Sequence, residues 1–138
     1  MSDRLFQKLL SKTAEPPPTM AFTSTEPEGV DDLGSFGWLR GVRDRAVMLE
    51  LRKKTGNILA IGYGWLERAE FDPSEGITLH LVGQTIRLQG RNLNAEIQPQ
   101  VRLFSGITQH RVAWIQEAGG AGSMQAAPGA TVVEAIEW

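Results

Sequence analysis

The apolar positions of this chain fall in short alternating runs rather than long helical stripes. The clearest run is FDPSEGITLHLVGQTIRLQGRNL at residues 71–93. Ile77, Leu79 and Leu81 alternate with Thr78 and His80; Ile86 and Leu88 alternate with Thr85, Arg87 and Gln89. DPSEG at 72–76 is turn chemistry, with Pro73 suited to the first central position and Gly76 free to take a positive φ. Gly83-Gln84 reads as a two-residue hairpin loop with glycine first. Just upstream, Ala69 and Phe71 are expected inward, and Arg68, Glu70 and Asp72 outward. The stretch predicts a tight antiparallel meander whose register is set by its turns.

The same period appears earlier. In AVMLELRKKTGN, Val47, Leu49 and Leu51 share one face, opposite Met48, Glu50 and Arg52. TGN at 55–57 marks a turn. NILAI follows and is apolar on both faces, so it is expected as a central, doubly covered strand. The pair predicts a hairpin. Gly62-Tyr63-Gly64 then breaks the strand, and Tyr63, Trp65 and Leu66 crowd a segment that fits one helical turn. Further on, Leu103, Phe104 and Ile107 have helical spacing, although Gly106 weakens a helix by ~1 kcal/mol. VAWIQEA predicts one more strand, with Val112, Trp114 and Gln116 on one face.

The two ends read differently. SDRLFQKLLSK places Leu5, Phe6, Leu9 and Leu10 on one helical stripe, with Ser2 as its cap. Residues 13–35 carry four prolines and no periodicity, and the prolines at 16–18 favour an extended polyproline stretch. Residues 118–130 have linker composition, and TVVEAIEW alternates once more. The organisation expected is an N-terminal amphipathic helix at 1–12, an acidic Pro-rich arm at 13–35, a small β domain at 36–118, and a flexible tail at 119–138 with a strand-like end. The fold class expected is mainly β: a small antiparallel barrel or strongly curved meander sheet of SH3 or Sm-like size. The N-terminal helix and a short helix before the last strand accompany it.

Composition changes this picture little. The chain has 138 residues, 41% apolar and 22% charged, which fits one globular domain. The formal net charge is −2, but residues 36–93 hold nine basic and six acidic side chains, while both ends are acidic. With no cysteine, disulfides and thiolate chemistry are excluded. No apolar run approaches the ~18 residues of a membrane span, and the N-terminus lacks a continuous apolar stretch. A cytoplasmic protein without membrane association is expected.

Catalytic patterns are thin. There is no G-x-S-x-G elbow, no phosphate-cradling loop and no EF-hand loop. His80 and His110 are the only histidines, too few for a histidine-based zinc site without thiols. No catalytic residue, metal site or cofactor is predicted. A small enzyme would require Glu67, Glu70, His80 and Arg87 to cluster in one pocket.

The order of a helix followed by five short bent strands resembles the Sm-like small barrels, a likeness of topology covering at most residues 36–93. Where those families often end the fourth strand with Arg-Gly, this chain has Gly90-Arg91, then Asn92. The resemblance implies ring-shaped oligomers that bind RNA. Here Arg87, Arg91 and Asn92 would meet phosphates and base edges, and Tyr63 and Trp65 would stack on bases. The primary expectation is instead a non-enzymatic protein-interaction or structural module. Its apolar ends, Leu5, Phe6 and Leu9 at one and Val133, Ile136 and Trp138 at the other, would meet a protein partner or another copy.

Overall fold

The computed structural model describes residues 29–119 and 127–138. The helix expected at 1–12, with Leu5, Phe6 and Leu9, lies outside the described residues, as does the arm up to residue 28. Among the described residues the alternating runs form nine strands: β1 (Val30–Asp32), β2 (Phe36–Leu39), β3 (Met48–Arg52), β4 (Ile58–Gly62), β5 (Leu66–Asp72), β6 (Gly76–Leu81), β7 (Gln84–Arg91), β8 (Val112–Gln116) and β9 (Val132–Glu137). A 3₁₀ turn, Tyr63–Trp65, joins β4 to β5, and a short helix, α1 (Leu103–Thr108), precedes β8.

The strands make two sheets. One is ordered β9-β7-β6-β5 and is antiparallel throughout. The other is ordered β1-β2-β8-β3-β4, with one parallel pair, β3 with β8, among antiparallel ones. The core lies between them. Leu49 and Leu51 from one sheet, and Ile77, Leu79, Ile86 and Leu88 from the other, are fully buried. Each such side chain contributes ~1.5–3 kcal/mol relative to exposure. Leu103 and Ile107 of α1 join this core.

The meander at 71–93 forms as its alternation predicts, with Ile77 opposite Leu88 and Leu79 opposite Ile86. Its first turn is fastened by the Asp72 carboxylate, which accepts from Ser74 N, Ser74 Oγ and Glu75 N at 2.8, 2.8 and 3.2 Å. The second loop differs from expectation. Leu81 pairs with Gln84, so the loop is Val82-Gly83, with Gly83 at φ 79 in its second position, as a type II turn requires. Moving the loop centre by one residue shifts the pairing by two, so the same side chains still face the core.

The expected barrel does not close. On one side the sheets are stitched together. Ala118 N donates to Val133 O, the Ser35 hydroxyl donates to Thr131 O, and the Glu117 carboxylate accepts from Lys54 N and Ile136 N. On the other side, among the described residues, β4 and β5 are the last strands of their sheets, and no ladder joins them. The 3₁₀ turn is the cause. Tyr63 drops into the core, where its hydroxyl donates to Val112 O at 2.7 Å and its ring stacks on His110 at 4.3 Å. The chain therefore crosses from sheet to sheet instead of folding back to pair.

Three further expectations are corrected. NILAI is not central: among the described residues β4 is an edge strand, with Ile58 and Ala60 exposed. Val47 is exposed, because the strand begins only at Met48. Val112 and Trp114 do not share a face. A register shift between Gly37 and Trp38 turns Val112 inward, while Trp114 lies on the outer face against Gly37, beneath the Arg52 guanidinium. The β structure also extends past 36–118. It begins with β1 at Val30 and ends with β9, which pairs along β7 from Arg91 to Arg87. Gly106 finds its reason in packing: a Cβ there would sit 2.4 Å from the Trp38 ring and 2.8 Å from Val112.

Candidate functional site

Two outward surfaces carry chemistry. The first is the polar face of the four-stranded sheet. Alternation brings Arg68, Glu70, Thr78, His80, Arg87 and their neighbours to this face. His80 Nε2 lies 2.8 Å from Glu70 Oε1, and Arg68 Nε lies 3.6 Å from Glu70 Oε2. The hydrogen bond to His80, and then the charge of Arg68, hold the Glu70 carboxyl below its ordinary range. Arg87 pairs instead with Glu75 at 2.7 Å. Glu67 falls in the bulge between Leu66 and Arg68. Of the four residues an enzyme would require, only Glu70 and His80 touch. A groove of about 470 Å³ runs beside Glu70, Asp72, Glu75, Thr78 and Arg87. Its three carboxylates outnumber the one guanidinium of Arg87, but each is already held within the chain: Glu70 by His80 and Arg68, Asp72 by Ser74, and Glu75 by Arg87.

The residues expected to meet RNA are spread over different surroundings. Tyr63 is buried, and burial pushes its hydroxyl pKa up, outweighing the opposing hydrogen bond to Val112. Arg87 and Arg91 are ion-paired, with Glu75 and with Glu134 at 3.2 Å. Asn92 has φ 56, and its amide donates to Ala130 O at 2.9 Å. Trp65 alone of the five presents an exposed aromatic ring, at 63%. Among the residues expected to meet a protein partner, Val133 and Ile136 lie in the chain's own core. Trp138 is exposed, with the Lys53 ammonium 4.0 Å from its ring centre.

The second surface surrounds the open side between β4 and β5. Trp65, Ile58, Val82 and Met48 are exposed to 63, 59, 58 and 49%. Trp65, Met48 and Val82 line one cleft of about 280 Å³ with Ala60, Gly62 and Leu81. The Trp65 ring lies over Gly62, where a Cβ would meet it at 3.1 Å. The backbone of β4 adds to this. Lys53 N donates to Asn57 O, and Tyr63 N donates to Val47 O, bracketing the β3–β4 ladder. Hydrogen-bonded pairs alternate along an antiparallel ladder. Leu59 and Ile61 therefore bond to β3, Ile58 and Ala60 point their N–H and C=O groups outward, past the end of the sheet, and Gly62 points its N–H outward while its C=O, as N-cap of the 3₁₀ turn, accepts within that turn.

This surface was not among the sequence expectations. The signal was present in the uncharged run ILAIG, but an apolar strand reads alike whether it is covered or bare. Among the described residues no group of three or more His, Cys, Asp or Glu is placed to hold a metal, and no helix is long and apolar enough to cross a membrane. Comparison with known families, characterised proteins and solved structures gives no match.

Proposed function

We propose that this chain is a non-enzymatic protein-interaction module that binds through the open side of its two sheets. One observation carries the reading: β4 combines outward backbone groups with exposed Ile58, and Met48, Trp65 and Val82 gather beside it. Edge strands of this kind accept another strand, with main-chain hydrogen bonds supplying affinity and flanking apolar side chains supplying selectivity. An exposed tryptophan over a glycine is a good anchor, since it buries a large area with few rotamers to fix. The polar face supports this choice by contrast, because its ion pairs already satisfy one another.

Site-specific photo-crosslinking in cells tests the reading. A photoreactive residue at Val82 or Trp65 should form adducts with a protein chain, a second copy included. The same residue at Thr78, on the polar face, should not. No adduct from either patch position, or equal adducts from Thr78, removes the reading.

A further inference from the structure

We infer that the partner at this edge is a second copy of the chain, joined antiparallel through β4 about a two-fold axis at Ala60; this rests on the interaction reading above. The outward N–H groups of Ile58, Ala60 and Gly62, with the outward C=O groups of Ile58 and Ala60, fix the register that uses them all. Ala60 pairs with Ala60 of the other copy, and each Ile58 pairs with the opposite Gly62. Ala60 exchanges both bonds across the axis, each Gly62 N–H donates to the opposite Ile58 C=O, and each Ile58 N–H meets the second lone pair of a Gly62 C=O that the 3₁₀ turn already uses.

Side chains agree with that register. Ile58 of one copy arrives beside Gly62 of the other, where the Trp65 ring lies over the bare glycine and Met48 stands opposite on β3. The most exposed apolar groups of the surface thus meet each other pairwise. At the axis, two alanines allow close approach. On the inner face Leu59 meets Ile61, extending the core across the join.

Charge also selects this edge. β1 ends in Asp31 and Asp32, β5 carries Glu67, Arg68, Glu70 and Asp72, and β9 carries Glu134 and Glu137. β4 carries none. The nearest like charges brought toward each other are the two Glu50 carboxylates, which flank Ala60 on β3. They stand three strand spacings apart, ~14 Å, beyond the ~8 Å screening length of physiological salt. A single edge buries little area, so the dimer is a concentration-dependent one.

Light scattering across a concentration series, combined with amide hydrogen exchange on the full chain, tests this. The wild-type mass should rise from 15.2 kDa toward twice that value, with protection of the Ile58, Ala60 and Gly62 amides growing in step. Ala60→Pro removes an outward N–H without touching the β3 ladder, and should weaken association about tenfold or more. Ile58→Lys, at an exposed site that does not threaten folding, should do the same. A dimer indifferent to both variants overturns the proposal. A monomer at every concentration with freely exchanging edge amides also overturns it, while leaving the edge open to a different protein. A monomer with protected edge amides means that the chain covers its own edge, and overturns both this proposal and the interaction reading.

Discussion

Strands β4 and β5 follow one another in the chain, end their respective sheets among the described residues and border the same open side, yet they solve the edge problem in opposite ways. β5 reads LERAEFD. Its outward positions are charged, its first residues are bulged, and Arg68 and Glu70 are engaged with each other and with His80. Charges and bulges are the ordinary means by which an edge strand repels further pairing. β4 reads ILAIG and has neither. Only the Tyr63–Trp65 turn separates them, so the difference is not imposed by location. It follows that an apolar, unbulged edge is a feature of β4 itself. The sheet able to discourage pairing does so, and the other does not.

The largest effect is expected at the stitched side. If the open side is where the fold ends by design, the opposite side must be where it is held. Deleting residues 122–138 removes β9, strips the β7 edge and takes Val133 and Ile136 out of the core. At ~1.5–3 kcal/mol for each buried side chain, before the lost ladder is counted, the loss rivals the ~5–15 kcal/mol stability of a whole domain. The truncated chain should be unfolded by far-ultraviolet circular dichroism and amide exchange. A cooperatively folded truncation would mean that β9 is an accessory strand and that both sides of the molecule are open.

A matched pair of substitutions sharpens the contrast. Leu79→Ala, in the middle of β6, should destabilise by ~2–5 kcal/mol in urea titration, because Leu79 is fully buried. Ile58→Ala on β4 should change stability by no more than ~0.5 kcal/mol at protein concentrations too low for association. The same apolar deletion would then matter for folding on one strand and only for association on the other. Equal losses would show that Ile58 is covered in solution.

How much of this was legible depended on whether a residue's neighbours were local. The meander at 72–91 was readable, because turn chemistry at Asp72 and Gly76 and strict alternation both lie within the segment. Even a misplaced loop left Ile77, Leu79, Ile86 and Leu88 inward, since parity survived the shift. The edge position of β4 was not readable. Leu59 and Ile61 face the core, but Ile58 and Ala60 are apolar too, and only the absent neighbour tells a bare face from a covered one. Trp114 failed for a related reason: the register shift that separates it from Val112 is made with β2, more than seventy residues earlier. Gly106 looked like a helix defect and is a contact with Trp38, which no local window contains. Val133 and Ile136 resembled a partner-binding peptide, because a strand that returns to its own sheet has the same alternation as one seeking another.

The smallest effect separates the two edges by pH. Hydrogen bonds from the Ser74 hydroxyl, and then from the Ser74 backbone N–H, hold the Asp72 carboxyl below its ordinary range; the Glu75 N–H adds to this. A carboxyl whose folded pKa is depressed contributes stability that is fully present above its unfolded pKa and is lost as pH falls through the folded one. Asp72 is exposed, so the contribution is modest. Asp72→Asn keeps an acceptor for the turn but has no charge to lose. Urea midpoints for wild type and Asp72→Asn should therefore differ most at neutral pH and converge as acid protonates Asp72. Association through β4 should show no such dependence over the same range, because that strand has no side chain to titrate. If mild acid weakens association while the fold stays intact, the copies are meeting through the charged edge, and the roles assigned to β4 and β5 are reversed.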